Sequence, residues 1–236
     1  MNPNDAAMSP FGVKTTGPTI HDLPEEARAF LRENGQMRVY QRGELVQRYG
    51  VPLIGGAWVH QGRLRAVMFH PDGTEQNRGW VMPQELFGLF NLLLPDCPAL
   101  NNLVVDTDEA HVLHFSRDVL LDMMHRDPEA RWGVSVALSR RILQLFDVID
   151  ISGPGLLADK MRTVLRWWAR QHGAPARDGS VELWVTQNDL ADGVGASRQR
   201  VQMELKAMRD QGELDVAYRK IVLRPLFFEK FQAARG

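Results

Sequence analysis

The segment TQNDLADGVGASRQRVQMELKAM, residues 186–208, restricts the possible folds more than any other part of the sequence. Thr186 is followed three residues later by Asp189, a spacing typical of a capping box at the start of a helix. Gly195 then supplies the positive φ that a sharp turn requires. Together these residues predict a short helix that ends in a tight turn.

A second helix is predicted directly after that turn, over residues 198–210. Ser197 is a suitable N-cap, because its hydroxyl can accept a hydrogen bond from the first turn of the helix. Glu204 is the one local conflict, since it is polar at a position that usually turns inward. Two short helices joined in this way form a helix-turn-helix, whose second helix binds in the major groove of DNA. The residues expected to face inward at helical spacing are Val201, Leu205 and Met208.

The exposed N-terminal end of this second helix carries arginine and glutamine, at Arg198, Gln199, Arg200 and Gln202. Both residue types have bidentate hydrogen-bonding geometry, which suits the edges of guanine and adenine respectively. Farther along the chain, two short apolar segments flank Arg219 and Lys220. They predict a β-wing with a basic tip that is suited to phosphate contact.

Residues 37–115 consist of short apolar segments separated by glycines, which is typical of a small antiparallel β-roll. Turns are predicted at His60-Gln61-Gly62 and at Pro71-Asp72-Gly73, where Asp-Gly suits a hairpin. Upstream, a short helix is predicted over residues 24–34. Residues 1–20 are rich in Pro, Gly and Thr, and they are expected to form a mobile tail.

Residues 127–151 form one long amphipathic segment with two adjacent apolar stripes at helical spacing. Packing of this helix on its own barrel explains one stripe. The second stripe favours a dimer seam at least as strongly, and both explanations stay open. The residues Ser152-Gly153-Pro154-Gly155 then break the helix.

The charge distribution changes at the same place. Residues 1–151 contain 14 Lys and Arg against 19 Asp and Glu, a net charge of −5, whereas residues 152–236 contain 14 against 10, a net charge of +4. The basic part is suited to a polyanion. The predicted organisation is a tail (1–20), a β-roll (21–126), a long helix (127–152) and the helix-turn-helix part (153–236).

Several functional classes are disfavoured by the residues present. Cys97 is the single cysteine, which excludes an intramolecular disulfide and any four-cysteine metal or iron–sulfur site within one chain. His111 and His114 are spaced to point to opposite faces of a strand, so a shared metal is not expected. The sequence has no run of 18 apolar residues and no secretory leader, so we expect a cytoplasmic protein without a membrane partner.

No catalytic constellation or phosphate-binding loop is evident, and an enzyme is not expected. One alternative to DNA binding remains open at this point. The chain could be a metal-dependent or small-molecule-binding β-barrel protein whose helical C-terminal part only contacts other proteins.

From about Tyr40 onward, the sequence resembles the CRP/FNR family, the cyclic-AMP-receptor type of bacterial transcription regulators. The resemblance rests on QRGELVQRYG, PDGTEQNRGW, DPEARWGVSVALSRRILQL, and the helix-turn-helix segment followed by YRKIVL. It implies an α+β fold with an N-terminal antiparallel β-roll (a cyclic-nucleotide-binding-like jelly roll), a long dimerisation helix and a C-terminal winged helix-turn-helix. It also implies a homodimer formed through residues 127–152, bound to two inverted half-sites of double-stranded DNA. A small-molecule effector and, for an activator, RNA polymerase would be further partners.

Ser197 and Arg198 agree with the family's recognition helix, whereas Gln199 replaces a usual Glu and Met203 replaces an Arg of the cyclic-AMP-receptor type. We therefore expect a half-site that keeps one guanine but differs around it. The candidate DNA-binding residues are Thr186, Gln187, Ser197, Arg198, Gln199, Arg200, Gln202, Met203, Lys206, Arg219 and Lys220.

The region that corresponds to the family's effector pocket departs from the cyclic-AMP pattern. Leu89 stands where the family has a ribose-binding Glu, and residues 98–102 contain no Arg for the cyclic phosphate. A buried phosphate without a cation would be poorly compensated. We therefore predict an apolar or aromatic effector or none, not cyclic AMP, and no metal or other cofactor. The candidate pocket residues are Phe87, Gly88, Leu89, Asn101, Asn102, Arg141 (which is retained), Leu145 and Phe146.

Overall fold

The computed structural model describes residues 17–53, 55–69, 75–94, 97–152 and 155–233. These residues have the predicted α+β fold, in which antiparallel sheets are followed by a helix-turn-helix. The chain divides into two compact units, with the boundary between Leu143 and Gln144. Each unit has a hydrophobic core of its own.

The first unit contains two four-stranded antiparallel sheets, with strand orders β1-β8-β3-β6 and β2-β7-β4-β5. The strands are β1 (Gln36–Gln41), β2 (Leu45–Gln47), β3 (Gly55–Gln61), β4 (Leu64–Phe69), β5 (Glu75–Val81), β6 (Leu86–Phe87), β7 (Asn102–Val105) and β8 (Glu109–Ser116). Inward-facing residues of both sheets form one buried cluster, in which Val59 and Val112 from one sheet meet Leu64 and Val105 from the other. This is the predicted β-roll.

The two predicted turns differ in what the structure describes. Gly62 has a φ of +79°, as the predicted turn after His60 requires. That turn joins β3 in one sheet to β4 in the other. The predicted turn at Pro71-Asp72-Gly73 lies outside the described residues, although β4 and β5 pair antiparallel on either side of it, from Leu64 opposite Val81 to Phe69 opposite Glu75.

Helices cover the outer face of the sheet that contains β3 and β8. They are α1 (Glu25–Asn34), α2 (Leu89–Leu93), α3 (Arg117–Arg126) and α4 (Pro128–Ser152). Side chains alternate along the strands, so Trp58 and Leu113 point outward into a second buried cluster, while their neighbours point into the roll. That cluster includes Leu31 of α1, Leu120 of α3 and Val134 of α4.

The segment just before α1 is held in place, which corrects the predicted tail at its C-terminal end. Pro18 accepts a backbone hydrogen bond from Leu86, at 2.8 Å, and Ile20 is fully buried. Asp22 accepts a hydrogen bond from Nε of Arg140 in α4, at 2.8 Å. Gly133 of α4 lies so close to the carbonyl oxygen of Asp22 that a Cβ atom would clash with it. Residues 17–20 therefore belong to the folded unit; residues 1–16 lie outside the described residues.

The second unit begins at Gln144, within α4, and contains the remaining elements. They are α5 (Leu157–His172), β9 (Ala174–Pro175), β10 (Val181–Leu183), α6 (Gln187–Val194), α7 (Arg198–Asp210), β11 (Leu214–Ala217), β12 (Lys220–Leu223) and α8 (Pro225–Ala233). The strands form one antiparallel sheet in the order β11-β12-β10-β9. α5 packs against α6 and α7, with Leu165 and Trp168 in the core. Within the described residues, every helix is too short or too polar to cross a membrane.

Candidate nucleic-acid interface

Local hydrogen bonds start and end the two helices of the helix-turn-helix where the sequence predicts. The hydroxyl of Thr186 accepts a hydrogen bond from the backbone N–H of Asp189 at 3.1 Å, and the Asp189 carboxylate accepts one from the Thr186 N–H at 2.8 Å. Gly195 ends α6 with a φ of +64°. The Ser197 hydroxyl then caps α7 by accepting from the N–H of Arg200, at 3.4 Å. The predicted capping box, turn glycine and N-cap are confirmed.

The inward face of α7 determines which residues face outward. Val201, Leu205 and Met208 are buried, as predicted. The opposite side of the helix and its N-cap carry exposed residues, namely Ser197, Arg198, Gln199, Arg200, Gln202, Met203 and Lys206. Thr186 and Gln187 lie half-buried at the start of α6. The structure thus groups nine of the eleven predicted DNA-binding residues at the start of α6 and along α7.

A concavity of about 280 Å³ separates the start of α6 and α7 from the wing formed by β11 and β12. Arg198 and Gln202 line it from α7, and residues 216–221 line it from the wing. Gln187 and Asn188 line it at the N-terminus of α6, where free N–H groups favour an anion. Asn188 is not among the DNA-binding residues predicted from the sequence. Its position in the first turn of the predicted helix α6, next to Gln187, is the signal that could have added it to the candidates.

The tip of the wing differs in one respect from the prediction. The turn consists of Tyr218, which is 90% exposed, and Arg219, which has a φ of +53°. Lys220 already belongs to β12, and its ammonium lies 2.8 Å from the carboxylate of Glu182 and 5.5 Å from the ring centre of Trp184. The positive charge at the tip therefore comes from Arg219, while that of Lys220 is partly offset by Glu182.

A buried ion pair holds α5 against the junction between α7 and β11. Glu213 is fully buried, and its two carboxylate oxygens accept hydrogen bonds from Nε and Nη2 of Arg162, each at 3.0 Å. These hydrogen bonds raise the pKa of the Arg162 guanidinium, and Glu204 adds a further favourable charge. The half-buried Glu204 therefore lies near a cation, which accounts for a polar residue at this position of α7. Sequence reasoning missed this pair.

The predicted effector residues lie in different surroundings. Phe87 is buried in the interior cluster of the roll, whereas Leu89 is buried in the cluster beneath the helices. Their side chains therefore fill core space. Gly88, between them, starts α2 with a φ of +80°. Leu145 and Phe146 are exposed and belong to the second compact unit.

The two predicted asparagines are engaged in hydrogen bonds within the roll. The side-chain oxygen of Asn101 accepts a hydrogen bond from Gln47 at 3.1 Å, and that of Asn102 accepts one from the Tyr49 N–H at 3.0 Å. Both amides therefore fasten the end of β2 to β7.

Glu85 and Arg141 form the charged part of this region. Glu85 is 7% exposed and accepts a hydrogen bond from the Met82 N–H at 3.0 Å. Burial raises the pKa of the Glu85 carboxyl to about 7, although the Met82 N–H and the charge of Arg141 oppose this effect. Burial also lowers the pKa of Arg141, against the attraction of Glu85. Sequence reasoning proposed Arg141 but missed Glu85.

The two histidines of β8 have separate partners. His114 lies 3.0 Å from the hydroxyl of Tyr40, and burial lowers its pKa to about 4. His111 lies 3.0 Å from the Glu109 carboxylate. Among the described residues, no three His, Cys, Asp or Glu side chains are grouped so as to hold a metal ion.

Two family profiles match the chain. Residues 37–127 match the family described as "Cyclic nucleotide-binding domain", and residues 160–226 match the one described as "Crp-like helix-turn-helix domain". No curated protein matches the sequence.

Several solved structures share the fold. The c-di-GMP-responsive global regulator CLP of Xanthomonas campestris is 19% identical, with 85% of this chain and 99% of that chain covered and a TM-score of 0.70. A CRP-family transcriptional regulator from Thermus thermophilus is 23% identical, with coverages of 84% and 97% and a TM-score of 0.66. FixK2 from Bradyrhizobium japonicum is 19% identical, with coverages of 84% and 96% and a TM-score of 0.69.

The substitution Arg162→Met tests the buried ion pair. It leaves the Glu213 carboxylate buried without a charge partner, so we expect the free energy of unfolding to fall by about 3–5 kcal/mol. The double variant Arg162→Met with Glu213→Leu should recover most of this loss, because no unpaired charge remains. Urea unfolding of the three proteins measures both effects. A double variant as unstable as the single one would contradict this account.

The substitution Glu85→Gln tests the buried carboxyl of the roll. Because the folded-state pKa of about 7 exceeds the ordinary value of 4.5, the folded protein binds the extra proton between these pH values. Wild-type stability should therefore fall as pH rises through this window, whereas a neutral glutamine removes this contribution. The free energy of unfolding of Glu85→Gln, taken relative to that of wild type at the same pH, should therefore be higher at pH 8 than at pH 5 by on the order of 3 kcal/mol.

Urea unfolding at these two pH values measures the gain, with the exposed Glu33→Gln as the matched control. An equal difference between Glu85→Gln and wild type at both pH values would show that Glu85 does not titrate in this range.

Proposed function

The chain belongs to the CRP/FNR family of transcription regulators, and from this membership we propose that it binds an inverted-repeat DNA sequence as a homodimer. The observation that carries the proposal is the outward face of α7. Basic and amide side chains are exposed there beside a wing with a cationic tip, and all of them belong to one compact unit. The net charge of +4 in residues 152–236 favours the same polyanionic partner.

The contacts divide into two classes. Arg198 would recognise a guanine, and Gln199 and Gln202 would recognise adenines, since their side chains match these base edges. Of the remaining candidates, all except Met203 would contact the DNA backbone and position the protein without discriminating between bases. In that class we place Thr186, Gln187, Ser197, Arg200, Lys206, Arg219 and Lys220.

Dimerisation through α4 is supported by its exposed apolar stripe. Ala130, Val134 and Ala137 are buried against the roll. Four large apolar residues elsewhere on the helix are more than half exposed, namely Trp132, Ile142, Leu145 and Phe146. A second copy of the same helix would bury this stripe in a two-fold interface. Two such subunits would place their recognition helices on half-sites about one helical turn apart, roughly 10 base pairs.

We also propose that the roll is not controlled by cyclic AMP. Leu89 is buried in the core at the position of the family's ribose-binding carboxylate, and residues 98–102 carry no cation for a phosphate. An apolar or aromatic small molecule, or no effector at all, fits this chemistry better. Cyclic AMP should therefore leave the DNA affinity unchanged. The protein would act in the cytoplasm, without enzymatic activity, and an activator would also contact RNA polymerase.

A selection on fragmented genomic DNA tests the proposal. The full-length protein is incubated with the fragments, and those it retains are sequenced. A shared inverted repeat would support a sequence-specific dimer and provide the half-site. Retention of fragments without a shared sequence, at several salt concentrations, would contradict sequence-specific binding.

The variants Arg198→Ala and Arg219→Ala should weaken DNA binding in different ways. Arg198→Ala should cost about 1–3 kcal/mol on the selected site and relax the preference at one base pair. Arg219→Ala should weaken binding to selected and random DNA alike, and lower the salt slope by about one unit. Lys220→Ala should also weaken binding to both kinds of DNA, but by less than Arg219→Ala, because Glu182 already offsets the charge of Lys220.

Fluorescence anisotropy with both kinds of DNA over a range of salt concentrations separates these effects. An equal loss on selected and random DNA for Arg198→Ala would contradict base recognition by this residue.

The substitution Phe146→Asp should convert the dimer to a monomer, since it places a charge in the exposed stripe that we assign to the interface. Its affinity for the inverted repeat should then fall to that for one half-site. Met37→Asp, at an exposed position on β1, is the matched control and should stay dimeric. Sedimentation equilibrium distinguishes the two states. A dimeric Phe146→Asp with wild-type affinity would place the interface elsewhere.

A further inference from the structure

On α7, all of which the structure describes, Met203 is the one large apolar residue that points away from the core. It follows the buried Val201 by two residues, and at about 100° per residue this places the two side chains about 200° apart around the helix. The Met203 side chain is 67% exposed. Gln199, one turn before it, and Lys206, one turn after it, are exposed as well.

A single exposed apolar residue is common on protein surfaces and carries no information by itself. The position of Met203 is informative because it lies in the middle of the face that we assign to the major groove. A thioether donates no hydrogen bond and accepts one only weakly. Met203 therefore cannot donate to the carbonyl or ring-nitrogen groups of the base edges, and it accepts only weakly from their amino groups. A base pair that presents only such groups to Met203 would lose hydrogen bonds to water without replacement.

The major groove presents one apolar group on its base edges, the C5 methyl of thymine. An unbranched, polarisable side chain adapts readily to such a group. We propose that Met203 contacts the C5 methyl of a thymine in each half-site and makes thymine the preferred base there. This inference rests on the proposed function, and it names the chemical group that one residue of that site recognises.

The helix geometry limits where this thymine lies. Met203 is four residues beyond Gln199 on the same face, a rise of about 6 Å along the helix. With base pairs about 3.4 Å apart, this distance corresponds to about two base-pair steps. The thymine is therefore expected within about two base pairs of the position recognised by Gln199.

The experiment removes only the methyl group. The full-length protein is titrated with duplexes of the selected inverted repeat in which each thymine position is replaced in turn, on both half-sites, by deoxyuridine. Deoxyuridine keeps every hydrogen-bonding group of thymine. At one position the wild-type affinity should fall about fourfold per half-site, which is the value expected for burial of one methyl-sized group, and about 15-fold for the symmetric duplex.

Three variants identify the residue responsible. Met203→Ala should bind the thymine and deoxyuridine duplexes equally at that position, whereas Met203→Leu should keep a preference for thymine. Met37→Ala removes an exposed methionine from β1 and should behave as wild type. Circular dichroism establishes that each variant is folded, and the exposure of both methionines makes this the expected result.

The outcomes separate this inference from the proposed function. Wild type could bind the inverted repeat tightly without a loss of affinity at any deoxyuridine position, or Met203→Ala could show the same loss of affinity as wild type. Either result would overturn the thymine contact, while the proposed function as a DNA-binding regulator would still hold. A selected half-site without a conserved thymine would overturn the thymine contact as well. Equal binding of wild type to the inverted repeat and to random DNA would overturn the proposed function itself, and the thymine contact with it.

Discussion

The long helix α4 buries one side against the first compact unit and exposes large apolar residues elsewhere, and the packing of that unit depends on the buried side. Its inward stripe consists of small residues, and Gly133 allows the backbone of α4 to approach the carbonyl of Asp22. The ion pair between Arg140 and Asp22 fastens the same contact. By contrast, the larger apolar residues Trp132 and Phe146 are exposed. That asymmetry is the physical basis for proposing a partner helix.

The proposed DNA-binding face depends on interactions that lie behind it. Thr186 and Ser197 start the two helices of the motif, and the buried apolar residues of α7 set its rotation. The pair formed by Arg162 and Glu213 then fastens α5 to the end of α7. Apart from Thr186 and Ser197, which we also place among the residues that contact the DNA backbone, these interactions orient the exposed face of α7 without contributing a side chain to it. A substitution at Glu213 would therefore alter the position of the face, whereas one at Met203 would alter its chemistry alone.

Several polar side chains of the roll form hydrogen bonds with other residues of the roll. Asn101 and Asn102 tie strands together, and His114 meets Tyr40. The roll unit also contains the buried carboxyl of Glu85, whose pKa the charge of Arg141 acts to lower against the effect of burial. Residues 37–127 match the cyclic nucleotide-binding domain family, while the two asparagines and the histidine contact other residues of the roll. The fold alone does not determine the ligand, because ligand chemistry resides in the side chains.

Elements whose signals are local could be predicted from the sequence alone. The helix over residues 198–210 has the predicted bounds, because its cap, turn glycine and apolar spacing all lie within a few residues of one another. The pairings of Lys220 with Glu182 and of Arg162 with Glu213 depend on how the chain folds, because these partners are 38 and 51 residues apart in sequence. The burial of Glu85 depends on the fold in the same way. Periodicity shows which face of an element is apolar, but it does not show which distant charge that face will meet, because that depends on how the elements pack.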